Sequence, residues 1–185
     1  MKVLDIGCTA EYNCNDPLQV LGESIELFTL DVDPTSNPNY VQDIREPIPD
    51  ELYGKFDVVF MSHVLEHVER ANLPTTLLNC YHLLKIGGEF WVYVPSLEWA
   101  CREVLAGNES IVIQGSFYGG QKDEWDIHKA AYTLPALKSL LHSFNFTVRK
   151  AGLGEYLSIV NGKTYTCKQN VIVGVKNGMA TPPPG

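Results

Sequence analysis

Four apolar segments of this chain each end in an acid or a small polar residue, and this restricts the fold more than any other feature. They are VLDIG (3–7), IELFTLD (25–31), NYVQDI (39–44) and FDVVFMS (56–62). A short apolar run with a polar terminus reads as a strand inside a sheet, and FDVVFMS has the continuous apolar centre of a strand buried on both faces. Helical patterns alternate with these runs. A short helix is expected within Pro17–Leu21, and helical structure begins again over His63–Arg70. Leu73–Leu84 repeats apolar residues at helical spacing, with Leu77, Leu78, Tyr81 and Leu84 on one face, and Gly87 and Gly88 read as its left-handed cap. Glu89–Pro95 is a fifth strand. Thr133–Ser143 is a further helix, with Thr133 as N-cap and Pro135 in its first turn. FTVRKAG and NVIVGVK are the last strands, and Asn161-Gly162 between them marks an antiparallel hairpin at the sheet edge.

The fold class follows: α/β, a Rossmann-like doubly wound sheet of about seven strands, mostly parallel, with an antiparallel C-terminal hairpin strand and helices on both faces. The 185 residues suit one domain. Residues 1–177 are read as that domain, 96–130 as an insert forming a lid, and 178–185, rich in Pro and Gly, as a disordered tail. Net charge is −8 at pH 7, which disfavours a nucleic-acid-binding surface. The five cysteines are scattered without metal-ligand spacing, so reduced thiols in a cytoplasmic protein are expected. No apolar run spans a membrane and no signal peptide precedes the first strand. The expected partner is a small molecule, with no nucleic acid or membrane, and the chain is a monomer or homodimer.

Open sheets of this kind bind ligands at the carboxyl ends of their strands, where the strand order reverses. That rule selects Asp5–Cys8, Asp31–Asp33, Asp43 with Ile44, and Ser62 with His63. Each Asp alone reads as a turn or cap residue. Together they make a floor for a ligand rich in hydroxyl and amine donors, because a carboxylate accepts and never donates. A nucleotide-binding turn ordinarily repeats its glycines, whereas Gly7 here is followed by CTAEYNCND. A nicotinamide dehydrogenase needs that second glycine cluster.

LDIGC, TLDVDP, QDI, FDVVFMSHVLEHV and LLKIGGEFWVYVPS occur in the order of the class I S-adenosylmethionine-dependent methyltransferases, and the chain resembles the methyltransferase-11 type. GSFYGGQKDEWDIHK is similar to the insert of a predicted methyltransferase subgroup often associated with saccharide metabolism. The resemblance implies S-adenosylmethionine as cofactor and a small-molecule or saccharide acceptor. It implies that Asp31 accepts the ribose hydroxyls beside Val32, and that Asp43 takes the adenine amine with the Ile44 backbone alongside. Gly7 and Cys8 pass under the methionine part, Asp5 orients that turn, and Ser62 and His63 close the site. The glycine-poor turn, and a start at the first strand without a covering N-terminal helix, imply a more open pocket. A non-catalytic binding or assembly protein on this fold is the alternative. MSHV stands where a nucleic-acid methyltransferase carries an Asp/Asn-Pro-Pro-Tyr/Phe loop.

Methyl transfer from a sulfonium is an in-line displacement, which needs alignment, exclusion of water and, for a hydroxyl acceptor, a base. His128, His63 and Tyr118 are the catalytic candidates. His128 leads, with Glu124 and Asp126 expected to raise its pKa. Gln114–Lys129 reads as an acceptor-facing loop in which Gly115, Gly119 and Gly120 permit lid motion, and Tyr118 and Trp125 offer stacking faces. His67 reads as structural. No metal is expected: HVLEH places Glu66 beside the second histidine rather than the first, so it is not the zinc motif HExxH.

Overall fold

The computed structural model describes residues 1–7, 20–22, 24–108 and 110–178. Seven strands form one sheet: β1 (Lys2–Ile6), β2 (Glu26–Asp31), β3 (Tyr40–Val41), β4 (Phe56–Ser62), β5 (Leu84–Pro95), β6 (Phe146–Val160) and β7 (Lys163–Lys176), in the order β3-β2-β1-β4-β5-β7-β6. The first five run parallel, and β7 runs antiparallel between β5 and β6. The order reverses between β1 and β4, so the cleft expected at a topological switch point opens above that pair.

Side-chain alternation sorts the core into two layers. Leu4, Ile6, Val59, Met61, Phe90 and Val92 point to one face, where helices α1 (Leu73–Leu83) and α4 (Leu134–Ser143) cover them with Leu77, Tyr81, Leu137 and Leu141. Val3, Val58, Phe60, Trp91 and Tyr93 point to the other face, packed by Leu21, Ile25 and Leu27. Burying a large apolar side chain contributes roughly 1.5–3 kcal/mol, and both layers converge on β4. Thr133 caps α4 by accepting from the Ala136 N–H at 3.2 Å, with Pro135 in the first turn. Asn161 and Gly162 take φ of 51° and 73°, as a two-residue hairpin with right-handed strand twist demands.

Several expectations need correction. The helix after Leu73 ends at Leu83, and Leu84 is already extended. Gly87 and Gly88 therefore do not cap it. They form an irregularity inside β5, where the partner of Phe56 is Leu84 and that of Val58 is Glu89. Space decides Gly88: a Cβ there would lie 2.9 Å from the Lys85 carbonyl oxygen and 3.1 Å from that of Asp57. The third strand shrinks to two residues. His63–Arg70 contains only a single 3-10 turn, Leu65–His67. The insert holds two unforeseen helices, α2 (Leu97–Leu105), capped by Ser96, and α3 (Ile111–Tyr118). The hairpin strands run to 15 and 14 residues rather than seven each. Most of the Pro17–Leu21 helix, and the tail beyond Gly178, lie outside the described residues. No helix among the described residues is long and apolar enough to cross a membrane.

Candidate functional site

β1 exits into Gly7, whose φ is 75° and whose N–H donates to the Leu30 carbonyl at 2.9 Å. A Cβ at this position would fall 2.3 Å from a methyl of Val64. Both backbone angle and space thus demand glycine, because the turn after β4 comes down onto the turn after β1. Cys8 lies outside the described residues. Beside Gly7 opens a cleft whose floor is Leu30 and Asp31, whose walls are Val32 and Ile44, and whose inner end is Val64 and His67.

Asp31 ends β2 with 6% of its surface exposed. Its Oδ1 accepts the Asp33 N–H at 2.8 Å, and burial raises its pKa above the ordinary carboxylate range. The backbone N–H groups of Asp33 and Val32 both bond this carboxylate, and its remaining lone pairs suit a vicinal pair of hydroxyls. Asp33 is the N-cap of the 3-10 turn Pro34–Ser36 and accepts from the Thr35 N–H and hydroxyl. Asp43 lines the cleft too, but its carboxylate is already engaged. Arg45 donates its backbone N–H at 2.9 Å and two guanidinium nitrogens at 2.9 and 2.7 Å, which holds the Asp43 carboxyl below its usual range. Arg45 also reaches Glu69 at 3.3 Å, and Trp125 from the insert stacks on its guanidinium with 4.8 Å to the ring centre. Trp125 therefore covers the outer end of the cleft through a cation–π contact rather than standing free to stack on an acceptor. Asp5 is buried within β1, one residue before Ile6, and does not line the cleft.

The inner end is built from the turn after β4. His63 takes φ of 55°, left-handed and uncommon for a residue with a Cβ. That geometry turns its ring against Tyr156, with ring centres 4.6 Å apart, and its Nε2 to Gln169 Oε1 at 3.0 Å. His63 thus faces the β6–β7 hairpin, and neither it nor Ser62 lines the cleft. Glu66 is 1% exposed. His63 Nδ1 pairs with its Oε1 at 3.3 Å and His128 Nε2 stands 3.9 Å from the same atom, while its Oε2 has no hydrogen-bond partner among the described residues. Burial pushes the Glu66 carboxyl up, and the imidazoles of His63, His67 and His128 bring it back below its ordinary value. His67 and His128 meet edge to face, 4.8 Å between ring centres.

The structure thus brings His63 and His128 to one buried carboxylate and leaves Tyr118 out. Tyr118 ends α3, 60% exposed. The His128 expectation is corrected in sign: its pKa is lowered, because burial outweighs the nearby charge, and the acid that faces it is Glu66 rather than Glu124 or Asp126. Gln114–Lys129 is not one loop, since Gly115 lies within α3. Gly119 and Gly120 are fixed by packing: a Cβ on either would fall 2.1 and 2.3 Å from oxygens of Asp126. Arg45, Val64 and the buried Glu66 escaped the sequence reading. A glutamate within VLEHV, where Leu65 precedes it and Val68 follows two places on, was the available signal for the last of these.

A family model described as a methyltransferase domain matches residues 1–151. The chain belongs to the methyltransferase-domain family. No curated protein matches it. The fold recurs in solved methyltransferase structures of low sequence identity. An S-adenosylmethionine-dependent methyltransferase from Methanosarcina mazei has TM-score 0.67 and 14% identity, covering 95% of this chain and 92% of its own. One from Archaeoglobus fulgidus has TM-score 0.60 and 19% identity, over 95% and 86%. The 1,6-didemethyltoxoflavin-N1-methyltransferase of Burkholderia thailandensis, solved with its substrate and S-adenosylhomocysteine, has TM-score 0.60 and 15% identity, over 96% and 71%. Within this methyltransferase domain, Asp31, Val32 and Ile44 line the cleft at the carboxyl edge of the sheet.

Proposed function

We propose that this methyltransferase-domain protein binds S-adenosylmethionine in the cleft between β1 and β4 and transfers its methyl group to a small-molecule acceptor, a saccharide included. The observation that carries the reading is Asp31: a buried carboxylate at the end of β2, held only by backbone N–H groups and lining the cleft between the apolar walls Val32 and Ile44. Its two-oxygen acceptor chemistry suits vicinal ribose hydroxyls, and the apolar walls suit a purine face. Gly7 supplies close backbone approach beneath the ligand. The cofactor supplies an electrophilic methyl on a sulfonium. The chain's own residues hold it, exclude water and receive the acceptor's proton at the inner end, where His67 lines the cleft beside Glu66 and His128. His128 is the acceptor-side group of this reading, His63 acts only through Glu66, and the exposed Tyr118 contributes contact at most.

One observation favours the competing reading of a non-catalytic binding protein: Arg45 occupies the Asp43 carboxylate. Calorimetric titration with S-adenosylhomocysteine separates the two. Binding in the micromolar range, weakened about tenfold or more by Asp31→Ala, supports the enzyme. Absence of binding at millimolar ligand sinks it.

A further inference from the structure

We propose that Glu66, His67 and His128 form a binding site for a divalent transition-metal ion of the zinc type, at the inner end of the cleft. The three residues each offer one ligand atom, and these atoms lie within 4.8 Å of one another. Three further features make this a built site rather than a chance cluster.

The first is the carboxylate. Glu66 is 1% exposed; His63 Nδ1 pairs with its Oε1 at 3.3 Å, and its Oε2 has no partner among the described residues. An ionised group withdrawn from water is costly, and buried charges are ordinarily paired or bound to a metal. The second is the imidazole orientation. His67 Nδ1 faces the Ile127 carbonyl oxygen at 3.1 Å, and His128 Nδ1 faces that of Ser116 at 3.3 Å. A carbonyl only accepts, so Nδ1 carries the proton in both rings, and both Nε2 atoms are left with a lone pair. Anchoring Nδ1–H on a backbone carbonyl is how metal-binding histidines have tautomer and ring plane fixed. The third is the mutual arrangement. His128 Nε2 points at Glu66 Oε1 from 3.9 Å. At that distance the two atoms share no hydrogen bond, and a cation between them can be bonded by both.

Two imidazoles and a carboxylate suit zinc, and also manganese, iron and nickel in their divalent states. Bonds of about 2.0–2.1 Å place donors roughly 3.3 Å apart in a tetrahedral site, so loading draws the three side chains together. His128 sits on the tight loop after α3, while His67 is half-buried at the cleft. Three protein ligands leave a fourth position for water or for an acceptor oxygen. A hydroxyl bound there loses its proton more readily, which is what methylation of an alcohol asks for. That use of the ion rests on the methyltransferase reading; its binding does not. The spacing concealed the site because Glu66 and His67 are adjacent, whereas His128 arrives from the insert.

The test uses the full chain, stripped of metal with a chelator and dialysed. Zinc is titrated in by calorimetry, and equilibrium dialysis with elemental analysis gives the stoichiometry. Cobalt serves as a spectroscopic probe through its visible absorption. One zinc per chain is expected, with at least about a tenfold loss of affinity in each of His67→Gln and His128→Gln. His142→Gln, on the exposed side of α4, retains full affinity. Glu66→Gln is included with circular dichroism as a folding check; should it unfold, the two histidine variants decide. Substoichiometric zinc in the parent, or parent-like affinity in both histidine variants, overturns the site. S-adenosylhomocysteine is titrated into the same samples. Cofactor binding without zinc removes only the metal site, and zinc without cofactor binding removes only the methyltransferase reading.

Discussion

The two ends of the cleft are made in different ways. At the outer end each strand delivers its own residue: β2 ends in Asp31 and Val32, and Asp43 and Ile44 follow β3. At the inner end the turn after β4 delivers Glu66 and His67, while His128 arrives from an insert that leaves the sheet after β5 and returns where Ser96 pairs with Tyr132. The outer end places acceptors beside apolar walls, which is a binding task. The inner end gathers imidazoles around a buried anion, which is a task for protons or cations. The contrast extends to Asp31 and Asp43. Asp31 ends β2 and Asp43 follows β3, but the first is held by backbone N–H groups and the second is paired with Arg45.

The seam between the ends is Gly7 against Val64, and breaking it has the largest expected effect. Gly7→Ala adds a steric overlap and a left-handed conformation for a residue with a Cβ, together roughly 2–4 kcal/mol of stability, read from urea unfolding. Adding Val64→Ala relieves the overlap and leaves a cost of about 1 kcal/mol for the backbone angle. A loss below about 0.5 kcal/mol in the single variant would show that the two turns do not bear on one another.

Next comes the pair of aspartates. Asp31→Ala lowers affinity for S-adenosylhomocysteine about tenfold or more, and Asp43→Ala lowers it about threefold. Equal losses in calorimetry erase the distinction between a carboxylate held by backbone N–H groups and one paired with Arg45. A smaller effect follows from pH. The Asp31 pKa lies above its ordinary value because of burial, so the ligand-free protein gains stability from this group as the carboxylate takes up its proton in mild acid. Hydroxyl donors need the ionised form, so affinity for S-adenosylhomocysteine falls as pH drops from 7 toward the raised value. Asp31→Asn removes that dependence, and an unchanged slope in the variant assigns it elsewhere. Smallest is Leu157→Thr, on the open face of β6 at 61% exposure, where thermal unfolding changes by less than about 0.5 kcal/mol.

The outer end was legible because it rests on local rules: an apolar run, a polar terminus, and a sheet that turns every strand end toward one edge. Strand β4 ran from Phe56 to Ser62 as read, and Asn161-Gly162 gave the hairpin. Family membership followed from the same stretches, with residues 1–151 matching the methyltransferase domain. What stayed hidden depends on distant contacts. Arg45 reads as a loop cation until it is seen bonded to the residue two places before it. The sign of the His128 pKa shift turns on burial, which no local pattern reports, and neighbouring acids in sequence pointed the wrong way. In the sequence Glu66 stood only as a neighbour of His67, and the insert that folds back onto it at Lys129 and Ala130 comes from more than sixty residues away.

The β6–β7 hairpin outruns the sheet that carries it. β5 stops at Pro95, opposite Gln169, and Ser96 still donates to the Lys168 carbonyl at 3.1 Å, so from Tyr156–Cys167 outward to Asn161 the two strands have only each other as ladder partners. Its base is anchored by Tyr156 against His63 and by buried Cys167, while Leu157 and Ile159 stand open to water. A lone two-stranded ribbon is marginally stable, so amide hydrogens from Leu157 to Thr166 should exchange with deuterium through local fraying, hours before those of β1 and β4, which open only with the whole domain. Each such excursion loosens Tyr156, and with it the ring that shapes His63, so the slow breathing of a distant ribbon is heard at the inner end of the cleft.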